Sequence, residues 1–148
     1  MTLRELLDYS ILGFLVLLSI IVIFISIERM LFYKFLRLSD FGDRRELELE
    51  LHKRLTLIAT IGSNAPYIGL LGTVGGIMLT FMTLSNGDLS DTKEIMSGLA
   101  IALKATAMGL LVAVPSIVFY NLLLRKADVI LIQWDIKYNP KSGNDEKN

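Results

Sequence analysis

Apolar and polar positions along this chain fall into blocks. Residues 9–27 contain no Asp, Glu, Lys or Arg, and residues 55–87 form a second uncharged run of 33. A third run, residues 95–124, is interrupted only by Lys104. About 20 apolar residues cross a ~30 Å hydrocarbon layer as a helix. Backbone exposed to lipid must close its hydrogen bonds within a helix or a closed barrel. The pattern therefore predicts an all-α membrane protein with three transmembrane helices, over residues 9–32, 61–84 and 95–124. The second run exceeds one crossing, and Pro66 marks the start of its span, so a helical stem leads into it. Pro115 lies inside the third span and predicts a kink there. A secretory signal peptide would open on basic residues and end at a small-residue cleavage site. Here Arg4, Glu5 and Asp8 precede the first run and Glu28-Arg29 follow it, so the run reads as a span.

The charged blocks set the orientation. One basic residue, Arg4, precedes the first span, and seven lie between spans one and two (Arg29, Lys34, Arg37, Arg44, Arg45, Lys53, Arg54). One, Lys93, lies between spans two and three, and five follow (Arg125, Lys126, Lys137, Lys141, Lys147). Basic loops stay in the cytoplasm. The N-terminus is expected outside and the C-terminus in the cytoplasm, with residues 33–60 as a cytoplasmic stem and 85–94 as a periplasmic loop. Residues 125–148 are expected to be a cytoplasmic end with a disordered tail after Asn139-Pro140. Within the stem, residues 46–51 alternate Glu and Leu, a period-two strand signal. Leu47, Leu51, Leu55 and Ile58 also recur at helical steps, and the residue types favour a helix. Phe41-Gly42-Asp43 is the expected turn before it.

Composition narrows the chemistry. The 148 residues fit one domain, with 53% apolar and 20% charged residues. The formal net charge is zero, so no global basic field invites nucleic acid. Cysteine is absent, which excludes disulfides and thiolate metal sites. His52 is the only histidine; in a charged stem it reads as a solvated surface residue. No nucleophile elbow and no paired intramembrane carboxylates occur, so an enzyme is not expected, and no cofactor.

Small residues carry the remaining signal. Gly69, Gly72, Gly75 and Gly76 fall within eight positions. No Walker lysine and no dinucleotide-binding spacing accompany them. Gly72 and Gly76 instead form a GxxxG, which lets another helix approach closely. On a helix Thr73, Gly76, Thr80 and Thr83 share one face. Ala102, Thr106, Gly109, Ala113 and Ser116 make a second such stripe on the third span. Each threonine could satisfy itself on its own helix. Two facing stripes predict a lined cavity or a helix-binding seam, with Thr73, Thr80 and Thr106 as pore-lining candidates. Gly69, Gly72, Gly76, Gly109 and Pro115 are the packing candidates. Lys104 is the only charge well inside a span, and such residues cost about 2.5–3.5 kcal/mol on insertion scales. It lies about 200° from Thr106 round the helix. It is expected to contact a partner chain, a carbonyl cluster or a lipid phosphate, or to snorkel. Glu28, at the inner end of span one, is expected to be a charged membrane or partner contact, or to pair near Arg29.

The stretches Ala65-Pro-Tyr-Ile-Gly-Leu-Leu-Gly-Thr-Val-Gly-Gly-Ile-Met78 and Leu103-Lys-Ala-Thr-Ala-Met-Gly-Leu-Leu-Val-Ala-Val-Pro115, ending near Tyr120-Asn121, resemble the ExbB subunits of the ExbB/TolQ/MotA proton-channel family. The resemblance is strong over residues 64–121 and weaker elsewhere. It implies a ring-shaped homo-oligomer, a pentamer, in the bacterial inner membrane. It implies pore-lining second and third helices, with Thr73 and Thr106 at the family's pore threonines. It also implies an ExbD-like single-span partner whose membrane aspartate carries the proton, and a TonB-like protein driven by the proton motive force. A TolQ-like role and a structural scaffold without an ion path stay open beside it. Relatives carry a glutamate where this chain has Ile101, and Lys104 follows three residues later. The four-span MotA-like pattern fits less well.

Overall fold

The computed structural model describes residues 3–87 and 91–139, apart from the side chain of Arg4. It is all-helical among these residues: α1 (Leu3–Phe35), a single 3-10 turn (Leu38–Asp40), α2 (Arg44–His52), α3 (Leu55–Ser85) and α4 (Thr92–Tyr138). Three helical segments are long and apolar enough to cross a membrane.

Local chemistry explains where the helices stop. Asp43 accepts a hydrogen bond from the Arg45 N–H and caps α2, and Asp91 does the same for α4 through Lys93. Between α2 and α3 the chain turns at Lys53-Arg54. Arg54 adopts φ 66°, a left-handed conformation unusual for a residue with a Cβ. Gly87 ends α3 at φ 77°, where glycine carries no such penalty.

The helices extend past the span limits expected from sequence. The stem of residues 33–60 takes in the end of α1, the 3-10 turn, α2 and the start of α3. α1 continues to Phe35, α2 has only nine residues, and residues 55–60 already belong to α3. Neither Gly62 nor Pro66 interrupts α3, and both sit inside it. Likewise α4 does not end at residue 124. It runs unbroken through Pro115 to Tyr138, because no further glycine or proline intervenes before Asn139-Pro140. Its 47 residues make a rod of about 70 Å, more than twice the hydrocarbon thickness. The tail expected to be disordered, residues 140–148, lies outside the described residues.

The core has two regions. In the membrane-spanning part, α3 and α4 form the most extensive contact, with α1 laid against both. Beyond it, α2 packs on the final third of α4. Leu47, Leu51, Leu55 and Ile58 are buried there with Leu123, Ala127, Leu131 and Trp134. The Glu-Leu alternation is helical, and Leu49, the odd leucine, stays 75% exposed while Leu47 and Leu51 are fully buried.

Candidate functional site

The α3–α4 seam is made of backbone brought into contact. A Cβ on Gly69 would lie 2.6 Å from the Ala105 carbonyl oxygen, and one on Gly109 would lie 2.6 Å from that of Ala65. Gly76 meets Ala102 Cβ at 2.8 Å, and Gly72 meets Ala105 Cβ at 2.7 Å and Ile11 of α1 at 3.1 Å. The two small-residue stripes thus face each other within one chain. Pro115 lies inside α4 beside Ser116, whose hydroxyl donates to the Val112 carbonyl.

Close approach brings two hydroxyls together. Thr73 Oγ1 lies 2.6 Å from Thr106 Oγ1, 2.9 Å from the Ala102 carbonyl oxygen and 3.4 Å from that of Gly69. A hydroxyl has one proton to give. One arrangement satisfies the short contacts: Thr73 donates to Ala102, and Thr106 donates to Thr73. Thr73 is 6% exposed, whereas Thr106 is half-buried at the rim. Thr106 is thus the member of the pair nearer the open surface. Neither hydroxyl titrates, so the pair can orient a proton donor but cannot carry the proton. Thr80 stands differently. It is 2% exposed, and its hydroxyl donates to the Gly76 carbonyl. It faces the seam inside the subunit and does not reach an open surface. Thr83 likewise bonds Leu79 of its own helix.

Glu28 anchors a second cluster at the inner end of α1. Its carboxylate accepts from Arg54 and, at 3.4 Å, from Arg29. Arg29 is 4% exposed, donates to the Glu50 carbonyl at 3.1 Å and lies 5.0 Å over the Phe32 ring. The Tyr33 hydroxyl donates to the Leu51 carbonyl. These contacts tie α1 to the C-terminal end of α2, where the chain enters α3. Sequence reading pointed to Glu28 near Arg29 but missed Arg54 and Tyr33 as part of the framework. Only Arg29's adjacency to Glu28 hinted at it.

Lys104 is exposed and lines a cavity of about 250 Å³ with Ile101, Tyr9, Glu5 and Asp8. The sequence reading found no carboxylate for it within a span. The structure sets the first turns of α1 against the third and fourth turns of α4 and brings two acids into the same cavity. The signal was available in the topology: spans one and three run in the same direction, so their early residues share a level. Neither Thr73 nor Thr106 lines this cavity.

Known proteins resemble this chain in sequence. Residues 23–136 match the MotA/TolQ/ExbB proton channel family. A Helicobacter pylori biopolymer transport protein named ExbB-like 2 is 64% identical over 93% of this chain and 91% of its own length. The biopolymer transport protein ExbB of Aquifex aeolicus is 48% identical over 97% of each chain. The Tol-Pal system protein TolQ of Haemophilus influenzae is 41% identical over 64% of this chain, which is 41% of its own length. Such subunits are channel components that energise transport and are not enzymes. The chain belongs to the MotA/TolQ/ExbB proton channel family, as an ExbB-like protein.

Proposed function

We propose that this chain is the ring-forming subunit of a proton-driven motor in the bacterial inner membrane. In this reading, five copies surround ExbD-like single-span helices and energise TonB-dependent transport across the outer membrane. The observation that carries it is the Thr106–Thr73 hydroxyl pair at the α3–α4 seam. With its own proton committed to Thr73, Thr106 accepts a hydrogen bond from a protonated carboxylic acid on a partner helix. An ionised carboxylate would have to draw that proton away from Thr73, at a cost of about 1 kcal/mol. The pair thus favours the neutral acid over the carboxylate. The chain supplies the oriented acceptor, and the partner supplies the titrating group.

The test is Thr106→Val, which keeps the shape and removes the hydroxyl. Energised uptake should fall about tenfold if one hydrogen bond of ~1.5 kcal/mol is lost at the proton-transfer step. Thr106→Ser should retain most of it. Native mass spectrometry reads assembly separately, with five copies and one or two partners expected for both variants. Normal uptake by a fully expressed valine variant would sink the role.

The similarity to TolQ favours a second reading, a subunit of the Tol-Pal envelope system. Deleting the gene separates them. Lost uptake of iron carriers or vitamin B12 supports the TonB role, and a leaky, detergent-sensitive envelope supports the Tol role. A pure scaffold is supported by the hydroxyls of Thr73 and Thr80 being satisfied within the chain. It predicts that Thr106→Val has no effect on uptake.

A further inference from the structure

A groove of about 660 Å³ runs between α1 and α4 at the end of the two spans. Lys34 enters it from α1, and Arg125 and Lys126 enter from α4. In sequence Arg125 and Lys126 directly follow the third apolar run, and Lys34 lies seven residues past the end of the first. Two separate helices therefore bring their membrane-border cations to one level in one groove. No carboxylate lines it. The nearest acid along α4, Asp128, faces His52 of α2 at 3.9 Å. No ion pair engages Lys34, Arg125 or Lys126 among the described residues. Apolar side chains line the groove on both sides of the cations, Met30 and Leu122 before them and Val129 and Ile130 beyond. Met30 and Leu122, one turn toward the membrane, are 42% and 52% exposed, and polar Gln133 lies at the opposite, watery end.

We infer that this groove binds the headgroup of an anionic phospholipid from the leaflet on the basic side of the membrane. The inference rests on the reading of α1 and α4 as membrane spans. The phosphodiester would sit among Lys34, Arg125 and Lys126, with its acyl chains along Met30 and Leu122 and the headgroup toward Gln133. Charge complementarity selects this occupant. Three cations line one groove that no carboxylate enters, and the apolar Met30 and Leu122 lie on the side where acyl chains would run. Basic pockets between membrane helices on the cytoplasmic side are a known physical basis for recognising anionic headgroups. The lipid would clip α1 to α4 where the structure has only van der Waals contact beside the groove.

The test uses the assembled complex in mild detergent, titrated with dioleoyl phosphatidylglycerol or dioleoyl phosphatidylcholine and read by native mass spectrometry. Phosphatidylglycerol should bind at one saturable site per subunit, and phosphatidylcholine should not. A combined Lys34→Gln, Arg125→Gln, Lys126→Gln variant should weaken binding about fivefold per cation, on the order of a hundredfold in all. The charge-keeping Lys34→Arg, Arg125→Lys, Lys126→Arg variant should retain it, which shows that the site and not mere foldedness is read. Equal binding of both lipids would overturn the inference. So would an equal loss on neutralising Arg37, Lys53 and Lys137 instead, since that marks a diffuse charge effect. Displacement of the lipid by millimolar inorganic phosphate would also overturn it. A second copy of the chain covering the groove would appear as no lipid bound to the wild-type complex, and would equally overturn it. Resistance of the chain to alkaline extraction from membranes tests the span reading on its own.

Discussion

At the residue scale, the seam depends on missing side chains. Gly69 has backbone on the other side at 2.6 Å, so a Cβ there forces the helices apart. Gly75 meets only the tip of Leu7 at 3.2 Å, and Gly13 meets nothing within 4 Å. Gly69→Ala is therefore expected to lower the melting temperature in detergent sharply and to abolish the Thr73–Thr106 contact. Gly75→Ala should change little, because a leucine tip can move. Gly13→Ala should be neutral or stabilise by up to about 1 kcal/mol through helix propensity alone. Thermal scans of the three variants rank them directly. Equal behaviour of Gly69→Ala and Gly13→Ala would show that the seam is looser than its geometry. Thr73 and Thr106 follow the same logic: their contact exists because glycines on either side remove the bulk that would hold them apart.

At the element scale, α2 is held by apolar packing rather than by its charges. Arg44 bonds Asp135 at 2.9 Å, but the arginine side chain is 48% exposed, and a solvated pair of this kind is worth about 0–1 kcal/mol. Leu51 is fully buried, and truncating such a leucine costs about 2–5 kcal/mol. Leu51→Ala should release α2, read as faster proteolysis near Lys53-Arg54, whereas Asp135→Asn should leave the cleavage rate nearly unchanged. Arg54 is a mixed case. Its left-handed backbone would suit glycine by about 1 kcal/mol, against loss of the Glu28 pair. Arg54→Gly should thus be close to neutral in a thermal scan, and Arg54→Val, β-branched at φ 66°, should be clearly destabilised.

At the scale of the whole molecule, most span side chains find no cover within one chain. Phe14, Leu17, Ile20 and Phe24 on α1, and Leu71, Val74, Met78 and Phe81 on α3, are all about half exposed or more. In water such a surface would aggregate; in a bilayer it meets acyl chains or other subunits. Orientation has a direct test, because the chain has no cysteine of its own. A single Gly42→Cys substitution, between α1 and α2, should react only with a membrane-permeant thiol reagent in intact cells. Asn86→Cys, after α3, should react with an impermeant one. The reverse pattern would invert the topology drawn from the basic loops. The chain alone, reconstituted in liposomes, should pass no protons, because the Thr73–Thr106 pair orients a proton without titrating. Flux in such liposomes would contradict it.

Much of this was legible from the order of residues. Charge-free runs of sufficient length allow little but helices, since lipid offers the backbone no hydrogen bonds. The leucines of α2 at three- and four-residue steps outvoted a period-two alternation because burial follows the helix face. The small-residue stripes could be located from helical periodicity. What periodicity could not say is what each stripe faces. Only the packing of α3 on α4 turned both inward on each other, enclosed Thr80 and left Thr106 at the rim. The shared direction of spans one and three put Glu5 and Asp8 near the level of Lys104, and Lys34 near that of Arg125 and Lys126, but did not say which of these residues would line one cavity. Each cavity joins residues about 90 positions or more apart, and their proximity is set by the parallel course of α1 and α4. Local preference and hydrophobic spacing act within a helix and specify the elements. Close contact between distant helices depends on the fit of backbone against backbone, and that is decided only in three dimensions.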